Sequence, residues 1–325
     1  MKIGVVGVGS MGQNHARVLD DMDCLGGVMD KDEGVADEIG KRFGVPSFYD
    51  LDKFLDEDYD AISVSTPAHT HLEVCDRVID EGFDLLVEKP ISLSVEDAQK
   101  IVEEAEEKDV VLAVGMIERH NPVVASTKAL LDNDNFGKTI TISSKRVSSF
   151  PGRVSDMGVI FDLAIHDIDI MRYLMGEKVV RVYTLGGLSD EKSKYEDHAN
   201  IMLQFENGVT GVVEVNWLTP HKVRTLSITC SNDYVEVDYI NQSLVVTSSQ
   251  LLEYDASNLF DIPLEHNIRK FSVKRQEPLK REMQDFVEAV ENEHDPLVTG
   301  EDGLKSMKVV EAAYKSMKSG DVVRL

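Results

Sequence analysis

The sequence contains little that would suit a membrane protein or a disulfide-stabilised secreted domain. No apolar run in the 325 residues approaches the roughly 20 residues that a membrane-spanning helix needs. The three cysteines, Cys24, Cys75 and Cys230, are scattered and form no CxxC motif. Met1 and Lys2 lead directly into an apolar stretch, so we expect no signal peptide. These absences predict a cytoplasmic protein with reduced thiols.

Positive charge is scarce as well. The chain has 34 lysines and arginines against 59 aspartates and glutamates, which gives a formal net charge of −25. Nucleic acids and anionic membranes bind cationic surfaces, so this balance argues against both as partners. An anionic small-molecule substrate would need a local group of cations. A hydrophobic content of 42% over this length is enough for two domains with separate cores.

A glycine-rich turn follows the first apolar segment. Residues 2–6 predict a strand, residues 13–20 predict a helix, and Gly7, Gly9 and Gly12 lie between them in GxGxxG spacing. In this context Gly7 allows a tight turn, Gly9 lets a pyrophosphate approach the backbone, and Gly12 lets the helix pack on the strand. Free N–H groups at the helix start would hold the phosphates. The predicted dinucleotide-binding residues are Gly7, Gly9, Ser10, Met11 and Gly12.

An acidic residue ends the second predicted strand, residues 25–29. Asp30 follows the glycines by about 20 residues, a spacing that suits hydrogen bonds to the ribose hydroxyls of adenosine. A carboxylate there would repel the 2′-phosphate of NADP, so the sequence predicts NAD. Lys31 is adjacent and would attract that phosphate, which keeps NADP as the alternative.

Strand and helix patterns alternate through the first 120 residues. Further strand patterns lie at 47–49, 61–65, 85–87 and 110–114. The intervening helix patterns lie at 35–43, 51–55, 72–80 and 94–107. Alternation of this kind predicts a doubly wound parallel sheet with right-handed crossovers, a Rossmann domain over residues 1–120.

Glu88, Lys89 and Pro90 end the strand pattern at 85–87. Proline cannot extend the hydrogen-bond ladder, so the strand should stop at Lys89. The carboxyl ends of parallel strands form the ligand-binding edge of such sheets, and Lys89 is predicted to lie there. An ordinary surface Glu–Lys pair is the alternative interpretation.

Thr66 and Pro67 end the neighbouring strand pattern and bring His69 and His71 to the same edge. The two histidines either act in catalysis or cap the next helix and line the cofactor cleft, and we favour the second interpretation. The predicted cofactor ligands at this edge are Thr66, Pro67, His71 and Glu88.

The pattern changes after residue 120. Strand patterns at hairpin spacing lie at 139–148, 179–185, 199–205, 209–216, 225–229, 234–237 and 244–247. Helix patterns lie at 123–131, 157–174, 280–291 and 301–318. We therefore predict a second, α+β domain over residues 121–325, with an open, mostly antiparallel sheet and helices on one face.

The helix pattern at 157–174 has the densest group of ionisable residues. Asp162 and His166 are four residues apart, so both project from one helix face, and Asp169 follows near that face. Carboxylates beside an imidazole orient it and raise its basicity. A solvated helix face is the alternative, and a metal site is ranked low because no cysteine or second histidine is close in sequence.

Three cations, Lys145, Arg146 and Arg153, flank a proline-glycine turn. One interpretation is that they bind a phosphate or diphosphate, and the other is that they pair with acidic residues on the surface. The sequence leaves both interpretations open. Strand alternation turns Lys145 to the face opposite Arg146, so Arg146 and Arg153 are the predicted phosphate ligands.

These motifs together resemble the Gfo/Idh/MocA family of NAD(P)-dependent sugar and cyclitol oxidoreductases. The resemblance runs over essentially the whole chain and rests on the glycine turn, Thr66-Pro67 with His71, Glu88-Lys89-Pro90, Asp162-x-x-x-His166 and the closing Asp302-Gly303-Leu304. It implies that Lys89, Asp162 and His166 are catalytic. It also implies a homodimer or homotetramer formed through the C-terminal sheet.

Within the family, residues 117–122, 149–151 and 167–169 resemble nucleotide-sugar dehydrogenases of the archaeal UDP-N-acetylglucosamine 3-dehydrogenase type. This resemblance implies NAD-dependent oxidation at C3 to the 3-keto sugar. His166 would take the hydroxyl proton and Lys89 would hydrogen-bond the reacting oxygen, or the two roles are exchanged. Free inositol or aldose oxidation and a non-catalytic dinucleotide sensor are the alternatives. The substrate ligands predicted on this basis are His120, Asn121, Arg146 and Arg153.

Overall fold

The computed structural model describes residues 1–150, 157–189, 194–251 and 264–325. The chain divides into two compact units. The first consists of Met1–His120 and Glu277–Glu311, and the second of Asn121–Gln276 and Ala312–Leu325. The sequence-based boundaries placed all residues from 121 onward in one domain, whereas the structure groups Glu277–Glu311 with the first unit.

The first unit is built on a parallel sheet of six strands within the fully described range 1–150. The strands are β1 (Ile3–Val6), β2 (Leu25–Met29), β3 (Ser47–Phe48), β4 (Ala61–Val64), β5 (Asp84–Glu88) and β6 (Leu112–Gly115). Their order is β3-β2-β1-β4-β5-β6, and every pairing is parallel. The order reverses between β1 and β4, the switch point at which doubly wound sheets bind ligands. The predicted Rossmann architecture is confirmed.

Helices connect these strands, and some of them begin with a side-chain cap. They are α1 (Ser10–Asp20), α2 (Glu33–Phe43), α3 (Leu51–Leu55), α4 (His71–Asp80) and α5 (Val95–Glu107). The Asp32 side chain accepts from the N–H groups of Gly34 and Val35 at the start of α2, and Ser94 accepts from Asp97 at the start of α5. Such caps satisfy N–H groups that have no partner within the helix.

The second unit contains a mixed, mostly antiparallel sheet of nine strands among the described residues. The strands are β7 (Thr139–Ser149), β8 (Val179–Gly187), β9 (His198–Phe205), β10 (Thr210–Asn216), β11 (Leu218–Cys230), β12 (Asp233–Asp238), β13 (Ser243–Leu251), β14 (Leu264–Phe271) and β15 (Val323–Arg324). Their order is β14-β13-β12-β11-β7-β10-β9-β8-β15, and β7 pairs in parallel with β10. This confirms the predicted sheet. The sequence patterns did not predict β14, because residues 266–270 are exposed and show no apolar alternation.

One face of this sheet is covered by helices, and the described strands expose side chains on the other, which we call the open face. The helices α6 (Pro122–Asp132) and α7 (Ile165–Met175) pack on the covered face. In β9, Ala199, Ile201 and Leu203 are buried, while the intervening Met202 is 55% exposed. Alternation of this kind is typical of a half-buried antiparallel sheet.

The last two helices, α8 (Pro278–Asn292) and α9 (Gly300–Ser319), lie between β14 and β15 in sequence. In α8, Leu279, Met283 and Phe286 lie on one helix face and join the core of the first unit. This packing is why α8 belongs to the first unit. No helix among the described residues is long and apolar enough to cross a membrane.

Candidate active site

The glycine turn between β1 and α1 has the geometry that the sequence predicted. Gly7 has a φ of +83°, and a Cβ on Gly12 would lie 1.8 Å from the Gly7 carbonyl oxygen, so side chains are excluded at both positions. A Cβ on Gly9 would meet no atom within 4 Å. No side chain of the described residues caps the N terminus of α1. The open space beside Gly9 and the uncapped helix start fit the phosphates of a dinucleotide.

Asp30 follows the end of β2 and is tied to this turn. Its Oδ2 accepts from the Val8 N–H at 2.9 Å, and its Oδ1 accepts from the Asp32 N–H at 3.0 Å. Each carboxylate oxygen has a second lone pair, so Asp30 retains capacity for ribose hydroxyls. Lys31, beside it, is exposed.

Lys89 follows the end of β5, at the predicted edge of the sheet, and is half-buried. The carboxylate of Glu88 holds the backbone there, because its Oε2 accepts from the Lys89 N–H at 3.0 Å. Its Oε1 lies 3.0 Å from Nε2 of His15, and Nδ1 of His15 lies 2.8 Å from the Ser63 hydroxyl. The carboxylate of Glu88, a predicted cofactor ligand, is therefore engaged by the protein itself.

The pKa of Glu88 is lowered. Burial alone would raise this pKa, but the hydrogen bond from His15 and the positive charges of His15 and Lys89 outweigh it. Sequence reasoning missed His15. The available signal was a histidine between apolar positions on the inner face of α1, where its ring is completely buried.

Glu282 of α8 is a second residue that sequence reasoning missed. Its side chain is 2% exposed, and neither carboxylate oxygen has a hydrogen-bond partner within the described part of the chain. One ligand atom from each of His15, Glu88 and Glu282 lies within 4.8 Å of the others. Burial, then the charges of Glu88 and Asp285, raise the pKa of Glu282 well above its ordinary value. Only the packing of α8 on this unit brings Glu282 to the site, so no local motif marks it.

His71 joins the two loops that follow β4 and β5. Its Nε2 lies 2.9 Å from the Thr66 carbonyl oxygen and its Nδ1 lies 3.0 Å from that of Pro90. The ring is 1% exposed, and burial lowers its pKa although the two carbonyl groups act in the opposite direction. The prediction that His71 lines a cofactor cleft is thus corrected, since both ring nitrogens face backbone carbonyls. Thr66 is half-buried and Pro67 is exposed beside it.

The junction residues His120 and Asn121 are both buried. His120 ends a 3₁₀ turn of the first unit, and burial, with the charges of Arg281 and Arg119, lowers its pKa to about 3. Asn121 caps α6 in the second unit and donates to the Tyr239 carbonyl oxygen at 3.1 Å. The side-chain amide of Asn121 therefore makes hydrogen bonds within the second unit. His120 stays a predicted substrate ligand.

In the second unit, Asp162 lies in a π-helical turn, Ile160–Ala164, that runs directly into α7. The sequence predicted a regular helix, and π-helical turns of this kind occur frequently at functional sites. Asp162 is 3% exposed and His166 is half-buried. Asp169, considered as a third metal ligand, is instead 3.9 Å from Arg172 in an ion pair.

The predicted phosphate ligand Arg146 faces the interior of the second unit. Its side chain is 2% exposed, and its Nε donates to the buried carboxylate of Asp167 at 2.6 Å. Lys145 points to the opposite face, as strand alternation predicts, and pairs with Glu214 at 2.9 Å. Burial in an internal ion pair corrects the proposed role of Arg146 as a phosphate ligand. Arg153 lies outside the described residues.

Comparison with known proteins relates these features to a family. Residues 1–116 match the model for an oxidoreductase family with an NAD-binding Rossmann fold, and residues 128–325 match the C-terminal alpha/beta domain of that family. The UDP-N-acetylglucosamine 3-dehydrogenase of Acidithiobacillus ferrooxidans is 29% identical over 319 residues, covering 97% of this chain and 96% of that protein. The myo-inositol 2-dehydrogenase of Thermotoga maritima is 28% identical over 340 residues, covering 100% and 98%.

Solved structures agree with these matches. The UDP-N-acetylglucosamine 3-dehydrogenase GnnA from Acidithiobacillus ferrooxidans has a TM-score of 0.87 at 27% identity, covering 98% of both chains. This relative is bacterial, so the predicted likeness to an archaeal type is corrected in that respect. Because the two family models cover nearly all of the sequence, the chain belongs to the Gfo/Idh/MocA family and is an NAD(P)-dependent oxidoreductase that acts on CH–OH groups.

Proposed function

We propose that this enzyme oxidises the C3 hydroxyl of UDP-N-acetylglucosamine with NAD, which yields the 3-keto sugar. The observation that supports this substrate is the end-to-end similarity to the Acidithiobacillus ferrooxidans enzyme, which covers 97% of this sequence and 98% of this fold. The match therefore includes the second unit, the region that the family resemblance assigns to the substrate.

The residues proposed to hold NAD are those of the glycine turn together with Asp30, Thr66 and Pro67. When bound, NAD supplies the hydride acceptor of the reaction. Asp30 favours NAD over NADP because its carboxylate is held in place by two backbone N–H groups and would repel a 2′-phosphate. Lys31 is exposed, so its flexible ammonium competes only weakly with this fixed charge.

Three residues are proposed to act on the substrate. The substrate carbon loses its hydrogen as hydride, and the hydroxyl oxygen loses its hydrogen as a proton, so the alcohol becomes a ketone. His166 takes the proton and Asp162 orients its imidazole. Lys89 donates a hydrogen bond to the reacting oxygen, and an exchange of the two roles is the alternative assignment.

A second candidate substrate is a free cyclitol such as myo-inositol. The myo-inositol 2-dehydrogenase of Thermotoga maritima is 28% identical over the whole of this chain. The burial of Arg146 also favours this candidate, because a predicted phosphate ligand is lost. An uncharged substrate would need no cation to offset the strongly negative charge of the protein.

The experiment is a panel of UDP-N-acetylglucosamine, other UDP-sugars, free N-acetylglucosamine and myo-inositol, each with NAD and with NADP. NADH absorbance gives the rates, and mass spectrometry identifies the keto product. We expect the highest kcat/KM for UDP-N-acetylglucosamine with NAD. A higher kcat/KM for myo-inositol would instead establish the second candidate.

We further propose that the open face of the second unit's sheet joins copies of this chain. Met202, Tyr234 and Ile268 lie on this face and are 55%, 40% and 60% exposed. Large apolar side chains exposed on one face in this way are typical of an interface between subunits. Light scattering should give a dimer or tetramer that Met202→Asp dissociates, whereas a monomeric wild type would contradict the proposal.

A further inference from the structure

A buried carboxyl group near Lys89 is left without a hydrogen-bond donor. Glu282 is 2% exposed, and neither of its oxygens has a hydrogen-bond partner among the described residues. An ionised carboxylate in the protein interior is costly unless donors or a counter-charge stabilise it. Glu282 therefore requires a proton or a cation at this position.

Its neighbour Glu88 is already stabilised as an anion. The Glu88 carboxylate accepts from the Lys89 N–H at 3.0 Å and lies 3.0 Å from Nε2 of His15. Two carboxylates this close do not both ionise readily, because each charge opposes the other. With Glu88 as the anion, the neutral member of the pair is Glu282.

The same side chains include the ligand types that a divalent cation accepts, an imidazole and two carboxylates. A cation would have to replace the hydrogen bond between His15 and Glu88, which is formed at 3.0 Å. A proton on Glu282 leaves that bond intact and gives Glu282 a donor of its own. The contacts therefore favour a proton over a metal ion.

We propose that Glu282 carries a proton at neutral pH beside the Glu88 anion, so that Glu282, Glu88 and His15 form a buried triad that positions Lys89. The proposal rests on the proposed role of Lys89 in the reaction. Glu282 and His15 are positioning residues, because they act through Glu88, whose carboxylate holds the Lys89 backbone. The ionisable groups of α8 and its cap are Glu277, Lys280, Arg281, Glu282, Asp285, Glu288 and Glu291. The elements packed against α8 add His15, Arg17 and Asp20 of α1 and Glu118, Arg119 and His120 of the 3₁₀ turn, and Glu88 and Lys89 complete the set.

Infrared difference spectroscopy tests the proton directly. The wild type at neutral pH should show the carbonyl band of a buried, protonated carboxyl group, and Glu282→Gln should lack it. Glu288→Gln is the matched control, because Glu288 is an exposed glutamate of the same helix and its variant should keep the band. Absence of the band from the wild type, or its persistence in Glu282→Gln, would overturn the proposal. One equivalent of metal in the purified enzyme, measured by mass spectrometry, would overturn it as well.

Unfolding measured against pH gives a second test. The folded-state pKa of Glu282 is raised above its ordinary value of 4.5, so its contribution to stability is fully present below that pH and is lost as the pH rises toward the folded pKa. Glu282→Gln does not titrate. We therefore expect the variant to become progressively more stable relative to the wild type as the pH rises from about 5 to about 8. A difference that stays constant with pH would contradict a protonated Glu282.

Measurements of kcat on Glu282 variants test whether Glu282 positions Lys89 or only stabilises the fold. Glu282→Ala should lower kcat by about tenfold, because it loosens Glu88 and with it the hydrogen bond that holds the Lys89 backbone, while the dissociation constant for NAD changes less than twofold. Glu282→Gln should recover most of that loss, because its neutral amide has nearly the size and shape of the protonated acid. Equal kcat values in Glu282→Ala and the wild type would overturn the positioning role. If Lys89→Ala retained its turnover, the proposed role of Lys89 would fail, while the infrared and unfolding results would still decide the proton.

Discussion

Each of the two units buries a charged cluster, but they neutralise it in different ways. In the second unit, Arg146 and Asp167 are 2% and 0% exposed, and their ion pair is 2.6 Å long. In the first unit, Glu88 faces His15 at 3.0 Å, and Glu282 lies beside them without a cation of its own. A guanidinium keeps its charge at any ordinary pH, whereas the charge on a carboxyl group depends on its proton. On the proposal above, the cluster beside Lys89 responds to pH through Glu282, whereas the guanidinium in the cluster of the second unit keeps its positive charge.

The largest expected effect comes from removing the proposed catalytic residue of each unit. Lys89→Ala and His166→Ala should each lower kcat by roughly 10²–10⁴-fold, the range for positioned acid–base groups. Binding of NAD, measured by fluorescence titration, should stay within a few-fold, because neither side chain is proposed to hold the cofactor. Lys108→Ala, which removes an exposed lysine of the first unit, is the matched control.

Near-normal turnover of either variant would remove that residue from the mechanism. A loss in Lys89→Ala alone would place the acid–base chemistry entirely in the unit with the pH-responsive cluster. A loss in both variants would support both proposed roles.

The next effect in size concerns the ion pair beneath the sheet. Asp167→Ala leaves the Arg146 guanidinium buried without its counter-charge, which should lower the free energy of unfolding by about 3–5 kcal/mol. Urea unfolding monitored by circular dichroism would measure it. The double variant Arg146→Met/Asp167→Leu should lose much less, because it removes both charges. An equal loss in the double variant would contradict the unpaired buried charge as the cause.

Residues of the glycine turn, the strand ends and the two buried clusters show how much the sequence could predict. Gly7, Asp30 and Lys89 occupy the predicted turn and strand ends, because local spacing and strand length determine where they lie. Glu282 was not predicted, since its role depends on the packing of α8 against a distant part of the chain.

Arg146 was assigned to a substrate phosphate because cations nearby in sequence resemble an anion-binding group. Its partner Asp167 lies on α7, and only the packing of that helix against the sheet brings the carboxylate to the guanidinium. The π-helical turn at Asp162 was missed for a similar reason, because no local pattern distinguishes it from a regular helix. In both units local motifs predicted the backbone frame, and tertiary packing decided which buried charges meet.

A smaller effect is expected when Asp30 is replaced. Its carboxylate belongs to the first unit but is only half-buried, and it is proposed to set the preference for NAD over NADP. Asp30→Ala should lower kcat/KM with NAD by about tenfold, because a charge-assisted hydrogen bond contributes roughly 1.5–3 kcal/mol. The variant should improve kcat/KM with NADP, since the repulsion of the 2′-phosphate is removed. Steady-state kinetics with both cofactors decide the matter, and an unchanged ratio would show that another residue selects NAD.

The smallest effect is expected for an exposed ion pair. Comparing it with the buried pair of Arg146 and Asp167 tests whether burial or distance determines how much an ion pair contributes to stability. Lys108 and Asp80 are 3.0 Å apart, close to the 2.6 Å of Arg146 and Asp167, but their side chains are 47% and 68% exposed. Water and salt screen such a pair, and ordering two flexible side chains offsets most of the attraction. Lys108→Ala should therefore change the free energy of unfolding by only about 0.2–1 kcal/mol at low salt, and less in concentrated salt. Urea unfolding at both salt concentrations, with Asp167→Ala measured alongside, provides the comparison. A loss in Lys108→Ala as large as that in Asp167→Ala would mean that distance, and not burial, determines the energy of these pairs.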